Sequence, residues 1–107
     1  MSKQNKYRNK GVYYDGDYFH SKGELNRFLQ LKLLQDKGEI EDLHRQASIR
    51  ITINGELFRT YVADFRYYVK DALVPTYEDF KGFDTPVSKM KRDLIKLLYN
   101  IDILVTK

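Results

Sequence analysis

The sequence of 107 residues contains no cysteine and no tryptophan, and only two prolines and six glycines. The lack of cysteine excludes a disulfide scaffold and a thiolate-ligated zinc site, and it suits a reducing compartment. No apolar run approaches the ~20 residues of a membrane-spanning helix or resembles the core of a signal peptide. We therefore expect one soluble domain in the cytoplasm, without a membrane partner.

Positive charge is concentrated at the start of the chain. Nineteen Lys and Arg against fifteen Asp and Glu give a formal net charge of +4, and residues 1–12 contain four basic residues and no acid. We expect a basic arm over residues 1–12, a domain over residues 13–107 and a nucleic-acid partner. A solubilising segment and a solvated helix face would give the same pattern. The residues expected to contact DNA are Lys6, Arg8, Lys10, Lys89, Lys91, Arg92 and Lys96.

Turn, cap and periodicity signals predict a small α/β domain. Asp-Gly and Asn-Gly pairs indicate tight hairpins, and Ser21 and Thr85 are expected to cap two helices. A mixed sheet flanked by these helices, in the order α-β-β-β-α-β, is the expected architecture. The predicted elements are a hairpin over 12–19, a helix over 22–37, a strand or turn over 39–46, a strand over 49–53, a strand over 57–70 with its hairpin partner over 74–81, a helix over 86–99 and a strand over 101–105. The second helix should bury a stripe formed by Val87, Met90, Leu94, Leu97 and Leu98.

Asp64 is unusual in its predicted strand, because sheets disfavour aspartate. The expected hairpin register places Asp64 opposite Asp79, and Lys81 lies on the same face as Asp79 because side chains alternate along a strand. Two carboxylates this close repel unless a proton, a lysine or a cation compensates them. Mg²⁺ or Mn²⁺ bound by both, with Lys81 orienting the attacking water, is one solution. An ion-pair cluster in which Lys81 neutralises one carboxylate and Glu78 faces solvent is the other.

Glu24 also has two interpretations. Its spacing from Ser21 is that of a capping box, which explains the residue without any function. A carboxylate in the first turn of a helix packed on the sheet could also reach the metal edge. The two histidines, His20 and His44, lack the spacing of zinc ligands.

With these residues in place, the chain resembles the PD-(D/E)XK nuclease superfamily. It is most similar to a small phage-encoded branch whose members look like Holliday junction resolvases. The resemblance covers most of the chain, with Ala63 where the superfamily has proline and the shorter Asp79 where glutamate is common. The matching segments are Ser21-Lys22-x-Glu24, Gly38-Glu39-Ile40, Gln46, Tyr61-Val62-Ala63-Asp64-Phe65, Glu78-Asp79-Phe80-Lys81-Gly82 and the Lys-rich second helix.

The resemblance implies a restriction-endonuclease-like core and a Mg²⁺- or Mn²⁺-dependent DNA endonuclease, with Holliday junctions or branched DNA as substrates. Asp64 and Asp79 would bind the cation, Lys81 would be the catalytic lysine and Glu24 the acidic residue of the first helix, with Glu78 as an alternative ligand. Symmetric cutting implies a homodimer, and a phage enzyme would act in the host cytoplasm. The alternative is a non-catalytic nucleic-acid-binding or assembly module with the same fold.

Overall fold

The structure, a computed structural model, describes residues 11–107. The predicted basic arm, with Lys6, Arg8 and Lys10, lies almost wholly outside these residues. After a short hairpin, the order α-β-β-β-α-β confirms the predicted α/β architecture. The elements are β1 (Val12–Tyr14), β2 (Asp17–Phe19), α1 (Lys22–Asp36), β3 (Ile40–Ile53), β4 (Glu56–Val69), β5 (Thr76–Phe80), α2 (Pro86–Tyr99) and β6 (Ile103–Thr106).

The main sheet has four strands in the order β3-β4-β5-β6. The pairs β3–β4 and β4–β5 are antiparallel, whereas β5 and β6 are parallel and are connected through α2. A parallel pair requires such a crossover, because a tight turn cannot return the chain in the same direction. The sheet is therefore mixed, as predicted. Between residues 11 and 107, no helix has the length and apolar character needed to cross a membrane.

Capping residues set the ends of both helices. The Ser21 hydroxyl accepts a hydrogen bond from the Glu24 backbone N–H at 3.1 Å, and α1 ends just before Gly38, whose φ is +81°. Thr85 caps α2 in the same way. Each hydroxyl satisfies a backbone donor of the first turn. Gly23 has a further role, because a Cβ there would lie 2.5 Å from the Phe80 ring, so glycine allows α1 to approach β5 closely.

The β3 strand is longer than the sequence indicates. Residues 39–46 were expected to form a strand or a turn of their own, but Ile40–Ile53 is one strand of 14 residues. Its alternation is disturbed where Asp42 and Gln46 adopt positive φ values of 57° and 55°. The register against β4 shifts between Glu41 and His44, which marks a bulge. A bulge inserts an extra residue and breaks the period-two pattern on which a strand prediction depends.

Two apolar clusters form the core. One combines Ile95 of α2 with residues of β3 and β4, and the other combines Leu31 of α1 with a second set from the same strands. The predicted buried stripe of α2 is wrong, because Val87, Met90 and Leu97 are 57, 54 and 82% exposed, whereas Ile95 is fully buried. Helical periodicity identifies an apolar face but does not indicate what covers it, and in the described chain this face is turned to solvent.

Candidate active site

The β4–β5 register brings Asp64 and Asp79 to the end of the strand pair. Phe65 pairs with Glu78 and Arg66 with Tyr77, which confirms the predicted register. The regular pairing stops at Phe65 and Glu78, so the two aspartates occupy the next position. Side chains at such a position are not fixed by a continuing ladder and can turn toward the neighbouring strand.

The two aspartate carboxylates accept backbone hydrogen bonds at the position where the regular pairing of β4 and β5 stops. The Asp64 backbone N–H donates to Asp79 Oδ1 at 2.8 Å, and the Phe80 backbone N–H donates to Asp64 Oδ2 at 2.8 Å. Buried backbone donors must find partners, and a carboxylate is a strong acceptor. This reciprocal exchange holds the carboxyl groups of β4 and β5 beside each other.

Asp79 is buried and held by two further side chains. The Tyr61 hydroxyl donates to Asp79 Oδ2, and Lys81 Nζ lies 3.7 Å from the same oxygen. Burial, and then the bond to Asp79, raise the pKa of Tyr61 above its ordinary value, so Tyr61 stays a donor. Tyr61 is not predicted from the sequence as a site residue, because a tyrosine on a β-strand is far more often a packing residue.

Asp64 carries incompletely compensated negative charge. Burial raises the pKa of its carboxyl to about 6, and the charges of Glu24 and Asp79 add to that rise. The hydrogen bond from Phe80 and the charge of Lys81 oppose it. Among residues 11–107, no donor reaches Asp64 Oδ1. An acidic group with a free oxygen and a raised pKa is a common feature of functional sites.

Glu24 lies near this pair but is committed to other partners. Its side chain is buried, and Oε1 accepts the His20 backbone N–H at 3.3 Å while Oε2 accepts Arg45 Nη2 at 3.3 Å. Its N–H is the one capped by Ser21. Glu24 therefore belongs to the helix cap, and its charge also raises the pKa of Asp64, while its predicted role at a metal stays a prediction.

Glu78 is not at the solvent-facing position that the ion-pair alternative requires. It is fully buried, and Arg27 of α1 donates to it through Nε at 2.5 Å and Nη2 at 3.0 Å. Tyr67 and Thr106 complete its partners. Burial by itself would raise the pKa of Glu78, but these hydrogen bonds outweigh it and hold the pKa below the usual value. That part of the alternative is wrong, and Asp79 is the carboxylate beside Asp64.

Asp64 and Asp79 are the described residues that could hold a divalent cation of the Mg²⁺ type. Across the described residues 11–107, no group of three or more His, Cys, Asp or Glu side chains is arranged to hold a metal by itself. Mg²⁺ often uses only one or two carboxylates and completes its shell with water and substrate phosphate. Asp64 and Asp79 would supply those carboxylates, and the unused Asp64 oxygen is a donor atom of the required kind.

The basic residues predicted on α2 differ in whether an acidic side chain already pairs with them. Arg92 forms a two-pronged pair with Asp84, and Lys96 contacts Asp102 at 3.0 Å. Within the described part of the chain, Lys89 and Lys91 form no ion pair. Arg92 also lies near Tyr61, where its charge opposes the rise of the Tyr61 pKa. We therefore expect Lys89 and Lys91, rather than Arg92, to be available to an anionic partner.

Comparison with known proteins assigns the chain to a family. The model of a family described as "Protein of unknown function (DUF1064)" matches residues 4–105. The chain belongs to the DUF1064 family. No curated protein matches this DUF1064 chain, and no solved structure matches it.

The raised pKa of Asp64 predicts a specific pH dependence of stability in EDTA. Because its folded-state pKa, about 6, exceeds the ordinary 3.8, folding favours the protonated form. The stabilising contribution is complete below about pH 4 and is lost as the pH rises through about 6. Urea unfolding of wild type and Asp64→Asn, measured from pH 4 to pH 8, should show the wild type losing stability relative to the variant. If the difference in unfolding free energy between wild type and Asp64→Asn does not change from pH 4 to pH 8, the raised pKa of Asp64 is contradicted.

Proposed function

We propose that this DUF1064 chain is a Mg²⁺- or Mn²⁺-dependent DNA endonuclease that hydrolyses phosphodiester bonds. The observation that carries the proposal is the Asp64 carboxyl, with its free oxygen and raised pKa, beside Asp79 and Lys81. A cation bound by Asp64 and Asp79 would polarise the phosphate and lower the pKa of an attacking water. Branched DNA, including Holliday junctions, is the substrate class that we propose.

The surrounding residues supply orientation and charge. Lys81 follows directly after β5 and keeps 23% of its side chain exposed, so its ammonium can approach a phosphate while it stays near Asp79. A fixed positive charge stabilises the negative charge that develops on the phosphate during hydrolysis. Tyr61 and the Asp64 backbone N–H hold Asp79, which limits its rotation. The site is thus preorganised on two strands.

A cleavage assay tests this proposal. Supercoiled plasmid and a four-way junction are incubated with Mn²⁺, with Mg²⁺ or with EDTA. We expect cutting by the wild type with either cation, none in EDTA, and loss of cutting in Lys81→Ala. The matched control is Lys70→Ala, which removes an exposed lysine just after β4, roughly 20 Å from Asp64. Cutting that persists in Lys81→Ala would refute the assignment.

A non-catalytic nucleic-acid-binding module is the second candidate. It is favoured because both carboxylate oxygens of Glu24 already accept hydrogen bonds, from His20 and Arg45. Such a module would bind DNA in a salt-sensitive way that EDTA does not alter. The nuclease instead should gain thermal stability from Mg²⁺, because a ligand that binds only the folded state stabilises it.

We also propose that the working unit is a homodimer formed through α2. Val87, Met90, Leu94 and Leu97 recur at spacings of three and four residues, and three of them are more than half exposed. A stripe with this spacing suits packing against an identical helix, and a two-fold interface uses one patch twice. Two copies would place one site on each strand of a branched substrate.

Substitution on this stripe should change the oligomeric state. We expect the wild type to sediment as a dimer and Leu97→Glu, which places a charge at an 82% exposed apolar position, to sediment as a monomer. Leu73→Glu is the control, because Leu73 is 96% exposed but lies in the β4–β5 loop. A monomeric wild type in sedimentation velocity at micromolar concentration would contradict the dimer.

A further inference from the structure

A polar cavity is lined by residues of the main sheet, among them Arg66, which is two residues from Asp64. Its volume is about 260 Å³, and side chains of β3, β4 and β5 line it. His44 pairs with Arg66 and Arg66 pairs with Tyr77, so these three point to one side of the sheet. Arg66 is two residues from Asp64, which places both on the same face about 7 Å apart along the strand. The lining residues that matter here are His44, Gln46, Ser48, Arg66 and Tyr77.

Arg66 has a donor that the described protein leaves unused. Its Nε is buried and has no hydrogen-bond partner among residues 11–107. Leaving a buried donor unpaired costs free energy, and the cost is larger for a charged group. Nη2 of Arg66 contacts Asp42 at 3.3 Å, but Asp42 is about half exposed, so this ion pair is weak and can be exchanged. The guanidinium is therefore able to accept an anionic ligand.

The other lining groups suit a phosphate. His44, Ser48 and Tyr77 are hydrogen-bonding side chains. Arginine binds phosphate oxygens through parallel N–H groups. Gln46 has a φ of 55° and lies at the β3 position facing Asp64, where the paired residues skip from Arg45 to Ala47. Gln46 therefore lines the cavity and also lies across from Asp64 in the β3–β4 register.

We propose that this cavity binds the phosphate that neighbours the scissile one on the same DNA strand. The proposal rests on the proposed endonuclease function and adds a second anchor to it. The separation of Asp64 and Arg66 along β4 is comparable to that of adjacent phosphates in a nucleic-acid strand. With one phosphate at Asp64 and the next at Arg66, the strand is held at two points and its register over the carboxylates is set.

The first test uses the full-length, ¹⁵N-labelled protein in EDTA, with inorganic phosphate as the probe. The Nε–H resonance of Arg66 is assigned by its disappearance in Arg66→Gln. We expect this resonance to shift and saturate during the titration, while that of Arg59, near the tip of the β3–β4 hairpin, changes little. Parallel, unsaturated shifts of both resonances would show an adventitious ion only and would overturn the proposal.

The second test measures binding of a DNA duplex in EDTA as a function of NaCl. Arg66→Gln should reduce the slope of log K against log salt by about 0.9, the value for one phosphate contact, and Arg59→Gln should not. If Arg66→Gln folds poorly, Arg66→Lys is measured in its place. This variant keeps the charge and should retain most of the slope. Neither test needs cleavage. If the protein cuts DNA but Arg66→Gln leaves the slope unchanged, only the phosphate-site proposal is contradicted. If the protein binds phosphate at Arg66 but never cuts DNA, only the nuclease function is contradicted.

Discussion

Asp64→Asn is expected to abolish metal-dependent cleavage while making the protein more stable. Asparagine keeps the shape and its oxygen can still accept the Phe80 N–H, but it removes the charge that a cation requires. We expect the cleavage rate with Mn²⁺ to fall at least about 100-fold. Because burial opposes ionisation of Asp64, we expect the free energy of unfolding at pH 8 in EDTA to rise by about 1–3 kcal/mol.

The opposite signs of these two effects give the experiment its discriminating power. A protein loses stability when a residue retained for structure is changed, whereas it often gains stability when a residue retained for chemistry is changed. Cleavage is measured on supercoiled plasmid, and unfolding by urea titration of the same preparations. Lys70→Ala serves as the control in both assays. A variant that cuts normally, or that loses several kcal/mol, would contradict the assignment of Asp64.

Arg27→Ala should destabilise the fold more than any other single substitution considered above. It leaves Glu78 fully buried and removes two of its hydrogen bonds, those to Nε and Nη2. Breaking a buried ion pair by removing one partner costs about 3–5 kcal/mol, because the remaining charge is uncompensated. Thermal and urea unfolding would measure this loss, with Arg59→Ala as an exposed control that should change stability by less than about 0.5 kcal/mol.

The companion variant Glu78→Gln distinguishes structure from metal binding at this position. If Glu78 only joins α1 to β5, the variant should lose stability but retain the same dependence of cleavage on Mn²⁺ concentration. A shift of that dependence to much higher Mn²⁺ would instead make Glu78 a ligand. A loss of less than about 1 kcal/mol in Arg27→Ala would contradict the structural role of the pair.

Local signals predicted the outline of the fold well. The turn residues Asp15 and Asn54, each followed by glycine, adopt the positive φ values that the hairpins require. The Ser21 and Thr85 caps begin the two helices as expected. Such signals act through the chain's own neighbours, so they can be read without knowledge of the tertiary structure.

What the sequence did not indicate depends on contacts between distant segments. Arg27 and Glu78 are 51 residues apart, and Tyr61 and Asp79 are 18 apart, so neither pair forms a motif. The exposed face of α2 was mistaken for a buried stripe because periodicity is the same for a core and for an interface. The placement of Asp64 opposite Asp79 could be predicted, since a hairpin register follows from the turn that closes it.

The most direct test of the central claim is a crystal of the wild-type protein soaked in Mn²⁺ and measured at the manganese absorption edge. The proposed site predicts an anomalous peak between the carboxyl groups of Asp64 and Asp79, with oxygen ligands within coordination distance. The same soak of Asp64→Asn should show no peak there. A wild-type crystal at saturating Mn²⁺ without density between these two aspartates would contradict the metal-dependent mechanism.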